Sequence, residues 1–232
     1  TGGILYKDIL RKYYKNLKAI VCINSPAIKH YSQYNKTYFI SNIIGEPFEN
    51  QSEINFKDKE NLISFVGRLD REKNAKKHIK IYKEANISKE WKLQIIGDGN
   101  ERKNLENFVE NNQLKERIFF YGTKTSDEIL KLLRTSKIFG FTSLKEALPT
   151  VLVEAMFCSN AIISYNCNYG PSDIVKNNSG FLIDVNNKEY FIQKLEMLAN
   201  SDEKLEKMMK NASKEAQNWK QNEILKKWQE II

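Results

Sequence analysis

The chain has 232 residues, of which 41% are hydrophobic and 28% are charged, and its formal net charge is +8. It is long enough for one large core, or for one domain with part of another, and no apolar run reaches the ~20 residues that a helix needs to span a bilayer. The positive charge comes largely from lysines dispersed over helical segments, without the interleaved aromatic residues of a nucleic-acid stacking platform. Nucleic-acid binding is therefore disfavoured. A solvated helix face is the favoured interpretation, and weak peripheral attraction to an anionic membrane is the alternative.

The cysteines and histidines form no metal-binding pattern in the sequence. Cys22, Cys158 and Cys167 are odd in number and lack a Cys-x-x-Cys spacing, which indicates reduced thiols in a cytoplasmic protein. His30 and His78 both lie in lysine-rich helical segments, so we predict that both are surface residues. No Asp-x-Asp pair offers two carboxylates to a metal ion. We therefore expect neither a cofactor nor a metal.

The first 45 residues are predicted to form a separate piece. Apolar periodicity predicts two α/β units, with a helix over 6–17, a strand over 19–23, a short helix after Pro26 and a strand over 37–41. Two units cannot make a complete sheet that is covered on both faces. The polar, irregular stretch over 46–61 is interpreted as a linker.

From residue 62 onward, short apolar runs alternate with longer amphipathic segments. Because the runs lack polar alternation, the strands should be covered on both faces, which predicts a doubly wound, parallel, Rossmann-like α/β sheet. The predicted strands are 62–66, 91–96, 117–121, 138–142, 161–164 and 180–183, and the helices between them are 75–85, 101–111, 126–134 and 149–158. The remainder is helical, over 188–199, 202–219 and 222–232. We divide this part into a domain over 62–218 and a final helix over 219–232.

Two glutamates, Glu146 and Glu154, stand eight residues apart with Pro149 between them. Proline fixes its own φ and lacks an amide hydrogen, so it is tolerated in the first turn of a helix and little further in. Glu146 then lies in the loop before a helix, and Glu154 lies one to two turns inside it. Carboxylates beside a helix N-terminus can hold hydroxyl groups while free backbone amides hold an anion. A sugar nucleotide offers both kinds of group.

Three further motifs follow predicted strands, and open α/β sheets bind ligands at the carboxyl ends of their strands. They are Gly-Arg-Leu-Asp-Arg-Glu-Lys-Asn over 67–74, Gly-Asp-Gly over 97–99 and Tyr-Gly-Pro-Ser-Asp over 169–173. Arg68 can bridge two phosphate oxygens with its guanidinium fork, and Lys73 adds a point charge.

Each residue also has a plainer interpretation. Arg68 could form a surface pair with Asp70, Glu146 could complement the helix dipole, and Glu154 could be an ordinary exposed helix residue. Taken singly the motifs are weak. Their order and their common position at strand ends favour a shared ligand site.

Together, the four motifs resemble the donor-binding domain of retaining glycosyltransferases of the GT-B fold, the group called family 4. The resemblance covers roughly residues 15–232. It implies that 1–45 is the tail of an N-terminal acceptor domain, most of which is absent, including its glycine-rich loop and catalytic histidine. A chain of this kind is expected to bind donor but to transfer sugar poorly.

The resemblance assigns roles residue by residue. Arg68 and Lys73 would grip the donor diphosphate. Glu146 would contact the transferred sugar and support the developing oxocarbenium ion, and Glu154 would hold the ribose diol. Backbone amides at the helix start would meet sugar and phosphates, and two turns would wall the base; these residues are Ala147, Leu148, Thr150, Val151, Gly97, Gly99, Tyr121 and Gly122.

The sequence departs from the family pattern at three positions. Ala147 stands where the family mostly has Gly, which puts the approach of the backbone to the sugar in doubt. Asn74 stands where a Gly usually follows the lysine, a mild change because asparagine tolerates left-handed geometry. Asp173 stands where Glu is usual. The run 169–173 resembles a variant in transferases of cell-surface polysaccharide, lipopolysaccharide and teichoic acid, and this favours a UDP-sugar over a GDP-sugar.

The expected function is transfer of a hexose or N-acetylhexosamine from a UDP-sugar to a cell-surface glycan or a lipid-linked acceptor, with retained configuration and without metal. The expected location is the cytoplasm, with the inner face of the cell membrane as an alternative. Two other functions stay open: a non-catalytic nucleotide-sugar-binding module, and a GT-B UDP-sugar epimerase, which would release free UDP without an acceptor. A dinucleotide dehydrogenase is disfavoured because no Gly-x-Gly-x-x-Gly follows a strand.

Overall fold

A computed structural model of the protein describes residues 4–52 and 54–232, without the side chains of 4–8 and 10. The predicted first segment, 1–45, therefore lies in part outside the described residues. The helices are α1 Ile4–Lys15, α2 Ser25–Tyr31, α3 Ala75–Glu84, α4 Arg102–Asn111, α5 Ser126–Thr135, α6 Thr150–Phe157, α7 Pro171–Ile174, α8 Lys188–Ala199, α9 Asp202–Ala216 and α10 Gln221–Gln229. The strands are β1 Ile20–Cys22, β2 Thr37–Phe39, β3 Glu60–Val66, β4 Lys92–Ile96, β5 Ile118–Gly122, β6 Ser136–Phe141, β7 Ala161–Tyr165 and β8 Gly180–Ile183.

The first piece contains a two-stranded parallel sheet made of β1 and β2. The helix between them begins at Ser25, one residue before Pro26, because the side-chain oxygen of Asn24 accepts a hydrogen bond of 2.9 Å from the Ala27 amide. Asparagine is among the preferred N-cap residues, and proline fits the first turn of a helix. The predicted elements of this piece are therefore present, with shorter strands than predicted.

The second sheet has six parallel strands in the order β5-β4-β3-β6-β7-β8. Counted from β3, this is the order of a doubly wound Rossmann-like sheet, and the strand order reverses between β3 and β6. The predicted fold class is confirmed. All six predicted strands are present, with ends that differ from the predicted ones by two residues or fewer.

Apolar residues cover both faces of this sheet, as the largely apolar strands predict. On one face, Ile63, Phe65 and Leu93 belong to a buried cluster that includes residues of α3, α4 and α8. On the other face, Phe139 and Phe141 belong to a second cluster with residues of α5, α6 and α9. Helices on both faces leave only the ends of the strands open to a ligand.

His78 is buried, so its prediction as a surface residue is wrong, whereas His30 is exposed as predicted. The His78 side chain is 1% exposed, and neither ring nitrogen has a hydrogen-bond partner among the described residues. Its ring occupies the space that Gly140 leaves free, because a Cβ on Gly140 would lie 1.9 Å from His78 Cε1. Burial lowers the pKa of His78 to about 3. The imidazole is therefore neutral.

The described residues of the predicted linker form turns and irregular backbone, with a 3-10 turn at Phe56–Asp58, and the last residues of the linker belong to β3. Lys59 fixes this end to the sheet: its Nζ donates to the carbonyl oxygens of Ser136 at 2.7 Å and Cys158 at 2.6 Å. Burial lowers the pKa of Lys59 to about 7. No helix in the described part of the chain combines the length and the apolar character that a membrane crossing requires.

Candidate functional site

The crevice at the carboxyl ends of β3 and β6 collects most of the predicted site residues. These strands are neighbours at the point where the strand order reverses, and open α/β sheets bind ligands there. The turn after β3 supplies Arg68 and Lys73, and the loop after β6 supplies Glu146. The topology therefore brings cationic and acidic residues together that lie more than seventy residues apart in sequence.

Hydrogen bonds fix the turn after β3. Asp70 Oδ1 accepts a hydrogen bond of 2.9 Å from the Lys73 amide, three residues further along the chain. Asn74 has a left-handed backbone with φ of 57° at the start of α3, and its Nδ2 donates to the carbonyl oxygen of Thr142 at 3.3 Å. Asparagine therefore provides the left-handed geometry at this position and joins the turn to the end of β6.

Lys73 and Glu146 form the ion pair at the centre of the crevice. Lys73 Nζ lies 2.5 Å from Glu146 Oε1, and the two side chains are 23% and 12% exposed. The Ser143 hydroxyl donates to the same carboxylate oxygen at 2.6 Å. A half-buried carboxylate is thus paired with a cation and a hydroxyl, which offsets the cost of its removal from water.

Arg68 is an exposed cation of the crevice. Its side chain is 73% exposed, and its Nη2 lies 3.3 Å from Asp70 Oδ2. The surface pair considered from the sequence therefore exists. Because exposed pairs contribute little to stability, the guanidinium can exchange this partner for a ligand phosphate at small cost.

Two cavities adjoin the central ion pair, and Lys73 and Glu146 line both of them. The larger cavity has a volume of about 680 Å³ and lies between α2 and the loops after β3 and β6. Its other lining residues include Asn24, His30, Arg68, Lys145 and Tyr169. The smaller has a volume of about 220 Å³ and extends along the start of α6 to Glu154; its other lining residues include Gly67, Leu148, Thr150 and Val151. The ion pair therefore separates two halves of one crevice.

Glu154 is partly buried in the second turn of α6. The helix begins at Thr150 with Pro149 at its N-cap, one residue later than predicted. Burial raises the pKa of Glu154, and a hydrogen bond with the Thr150 side chain acts in the opposite direction. The interpretation of Glu154 as an ordinary exposed helix residue does not fit this environment.

The glycine turns after β4 and β5 lie at the same edge of the sheet but line neither cavity. A Cβ on Gly97, whose φ is +132°, would lie 2.0 Å from the carbonyl oxygen of Gly67. Gly97 is therefore explained by the close packing of two turns. The predicted contact of Gly97, Gly99, Tyr121 and Gly122 with a nucleotide base stays a prediction.

The sequence interpretation left Asn24 and Lys145 out of the site and gave Tyr169 only as part of a motif. Asn24 belongs to the first piece of the chain, and its side chain reaches the crevice. The available signal was its position directly after a predicted apolar strand, where a parallel sheet presents ligand-binding residues. In the part of the chain that the structure describes, no group of three or more His, Cys, Asp or Glu residues could hold a metal ion.

Sequence comparison shows the family to which the chain belongs. Residues 47–215 match the model of the family described as "Glycosyl transferases group 1". The chain belongs to this family. The matched range contains both strands of the crevice and every site residue predicted above.

Two curated relatives have names that state an activity. The chain is 31% identical over 201 residues to "Amylovoran biosynthesis glycosyltransferase AmsD" of Erwinia amylovora, covering 84% of this chain and 55% of that protein. It is 26% identical over 234 residues to a Campylobacter jejuni protein named "GalNAc-alpha-(1->4)-GalNAc-alpha-(1->3)-diNAcBac-PP-undecaprenol alpha-1,4-N-acetyl-D-galactosaminyltransferase", covering 98% of this chain and 63% of that protein. The chain thus spans between about half and two thirds of the length of these relatives.

Solved structures share the fold at low sequence identity. A variant of S. aureus TarM in complex with Fondaparinux, alpha-GlcNAc-glycerol and UDP superposes with a TM-score of 0.80 at 20% identity, over 97% of this chain and 46% of that one. Anabaena Alr3699/HepE in complex with UDP superposes with a TM-score of 0.77 at 18% identity, over 92% of this chain and 62% of that one. These likenesses establish the GT-B glycosyltransferase fold.

Proposed function

We propose that the protein is a retaining glycosyltransferase of family 4 that uses a UDP-hexose or UDP-N-acetylhexosamine as donor and a cell-surface glycan or glycolipid as acceptor. For the 232-residue chain, donor binding is the proposed measurable activity. The Lys73–Glu146 ion pair at the point where the strand order reverses, with a cavity on either side, carries this proposal.

The cationic turn suits a diphosphate. Lys73 lines both cavities and Arg68 lines the larger one, so their charges can meet phosphates that lie across the ion pair. The first turn of α6 adds backbone amides whose hydrogens point toward its N-terminus. In this proposal the two cations and these amides neutralise the leaving nucleotide, and no metal takes part.

The two carboxylates suit the two sugar rings of a nucleotide sugar. Glu154 lies at the end of the smaller cavity, where it would accept hydrogen bonds from a ribose diol. Glu146 faces the larger cavity, where it would contact the transferred sugar and stabilise the positive charge that develops on it. The donor's own β-phosphate oxygen would then assist the incoming acceptor hydroxyl on the same face, which gives retention.

The relatives support a cell-surface acceptor and a UDP-sugar. AmsD is named for amylovoran biosynthesis, and the Campylobacter protein is named for transfer to an undecaprenol-linked glycan. Anabaena HepE has been solved with UDP-glucose. A cytoplasmic location at the inner face of the membrane is part of the proposal because lipid-linked acceptors are held at a membrane.

Calorimetric titration with UDP, GDP, UDP-glucose and UDP-N-acetylgalactosamine tests the proposal. We expect UDP and at least one UDP-sugar to bind more tightly than GDP. Tighter binding of GDP, or no binding of any nucleotide, would contradict it. Release of free UDP from a UDP-sugar without acceptor would instead support the epimerase alternative.

A further inference from the structure

Two residues of the first piece of the chain, Asn24 and Ser25, make side-chain contacts with the loops that surround Glu146. Asn24 lies between β1 and α2 and Ser25 begins α2, whereas their partners lie in the loop before α6 and in α7, which follow strands of the six-stranded sheet. Asn24 is 9% exposed and lines the larger cavity. The contacts therefore join the two sheets directly beside the proposed sugar position.

Asn24 holds the peptide group between Ala147 and Leu148. Its Nδ2 donates to the carbonyl oxygen of Ala147 at 3.3 Å, while its Oδ1 caps α2. A trans peptide is planar, with its carbonyl and the next amide pointing in opposite directions. A fixed Ala147 carbonyl therefore fixes the orientation of this peptide plane, beside Glu146 and on the wall of the larger cavity that Glu146 and Ala147 line.

Ser25 holds α7 and the loop that leads into it through Asp173, a residue of α7. Asp173 is 6% exposed, and its carboxylate accepts from the Ser25 amide at 3.0 Å and from the Ser25 hydroxyl. The same loop packs closely on the segment after Glu146, because a Cβ on Gly170 would lie 2.5 Å from Pro149 Cδ and 2.9 Å from the Ala147 carbonyl oxygen. Asn24 and Ser25 thus restrain the segment 146–148 directly and through its neighbour.

We propose that Asn24 and Ser25 are positioning residues that hold the 146–148 segment in the geometry that receives the donor sugar. This inference rests on the proposed function. It assigns to the first piece of the chain a role in donor recognition, through hydrogen bonds that span 123 residues for Asn24 and 148 for Ser25.

The competing explanation is that Asn24 and Ser25 only hold the two sheets together. The binding of UDP compared with that of UDP-sugar distinguishes this explanation from positioning. Glu146 and Ala147 of this segment line the larger cavity, where the sugar lies in the proposed pose, whereas the uridine and its ribose lie toward Glu154 in the smaller cavity. Loss of positioning should therefore weaken the binding of UDP-sugar and leave the binding of UDP nearly unchanged. Loss of docking should change both in the same proportion.

Asn24→Ser is the main variant, because serine remains a good neutral N-cap but is too short to reach Ala147. Ser25→Ala removes the hydroxyl bonded to Asp173, and Ser25→Thr retains it. Ser32→Ala is the matched control, since the Ser32 hydroxyl donates to Lys29 at the other end of α2. Affinities for UDP, UDP-glucose and UDP-N-acetylgalactosamine are measured by calorimetry, and circular dichroism melting confirms that each variant is folded.

We expect Asn24→Ser and Ser25→Ala to weaken UDP-sugar binding by about 5- to 10-fold, the scale of one lost hydrogen bond, with UDP affinity within about twofold of the wild type. Ser25→Thr and Ser32→Ala should match the wild type. Equal loss for UDP and UDP-sugar, or no loss for either, would overturn the inference while leaving the proposed function intact. A wild-type chain that binds neither UDP nor UDP-sugar would overturn both.

Discussion

The crevice and the apolar layer beneath α3 treat buried ionisable groups in opposite ways. In the crevice, Glu146 is paired with Lys73 and with the Ser143 hydroxyl. In the apolar layer, His78 packs against Phe65 and Phe191, and neither of its ring nitrogens has a hydrogen-bond partner in the described part of the chain. The ring of Tyr165 also contacts Phe191, and its hydroxyl group likewise has no partner among those residues.

The difference shows how the fold distributes charge. At the strand ends, opposite charges and hydroxyl groups offset the cost of burying a charge. Beneath α3, no described group does so, and burial keeps the imidazole of His78 neutral. A ligand phosphate can therefore exchange partners in the crevice. Protonation of the apolar layer instead opposes folding.

Removing the half-buried cation of the crevice should have the largest effect. Lys73→Met keeps the aliphatic stem that packs near Gly67 but removes the ammonium, and we expect UDP affinity to fall about 100-fold, the upper range for a charged hydrogen bond. Calorimetry measures the change. Lys80→Met on the exposed face of α3 is the control, and an unchanged affinity for Lys73→Met would exclude a phosphate role.

Acid should destabilise the apolar layer through His78. The pKa of His78 is lowered to about 3 in the folded protein by burial, against about 6.5 in an unfolded chain. Between these values the unfolded chain binds more protons, so the contribution to the free energy of unfolding falls by up to about 1.4 kcal/mol per pH unit as the pH drops below about 6.5.

Urea unfolding at pH 7.5, 6.5, 5.5 and 4.5 measures this dependence, with His78→Leu as the comparison. The leucine variant should lose the part of the slope that belongs to the imidazole. Parallel pH profiles for the two proteins would show that His78 does not titrate on unfolding.

Removing the exposed guanidinium of Arg68 should lower the affinity for UDP less than removing the ammonium of Lys73 does. Solvent and salt screen Arg68 more strongly, so we expect Arg68→Ala to weaken UDP binding by about 10-fold, the low end for a charged hydrogen bond. Arg71→Ala in the same turn is the control of equal charge. If the two variants bind UDP equally well, Arg68 does not contact the diphosphate.

Neutralising the Glu146 carboxylate should change the affinity for UDP less than the loss of Lys73 or Arg68 does. The affinity should rise instead of fall. Glu146→Gln removes the anion that competes with phosphate for Lys73, so UDP affinity should rise by about threefold, an effect of electrostatic competition at a partly solvated site. Binding of UDP-sugar should not gain this advantage. A fall in UDP affinity would show that Glu146 supports the diphosphate.

Much of the fold could be predicted because each strand is a short, mostly apolar run between polar turns. The ends of β3 to β8 differ from prediction by at most two residues, since propensity and turn residues define them locally. The helix Pro171–Ile174 was not predicted because four residues carry no periodicity. His78 was misjudged from its lysine neighbours, although its spacing from Ala75, Ile79 and Tyr82 places it on the buried face of α3.

The candidate site could be predicted only within one sheet. Arg68, Lys73, Glu146 and Glu154 follow or lie near strand ends, and parallel topology brings such residues to one edge. The contacts of Asn24 and Ser25 depend on how the small sheet packs against the large one. No local pattern encodes that packing.

A crystal structure of the chain soaked with UDP tests the proposed donor site. We expect the diphosphate to lie against Arg68 and Lys73, with the ribose hydroxyls on Glu154. Binding of UDP instead in the separate cavity of about 610 Å³ between the linker and α9, or a diphosphate without contact to either cation, would contradict it.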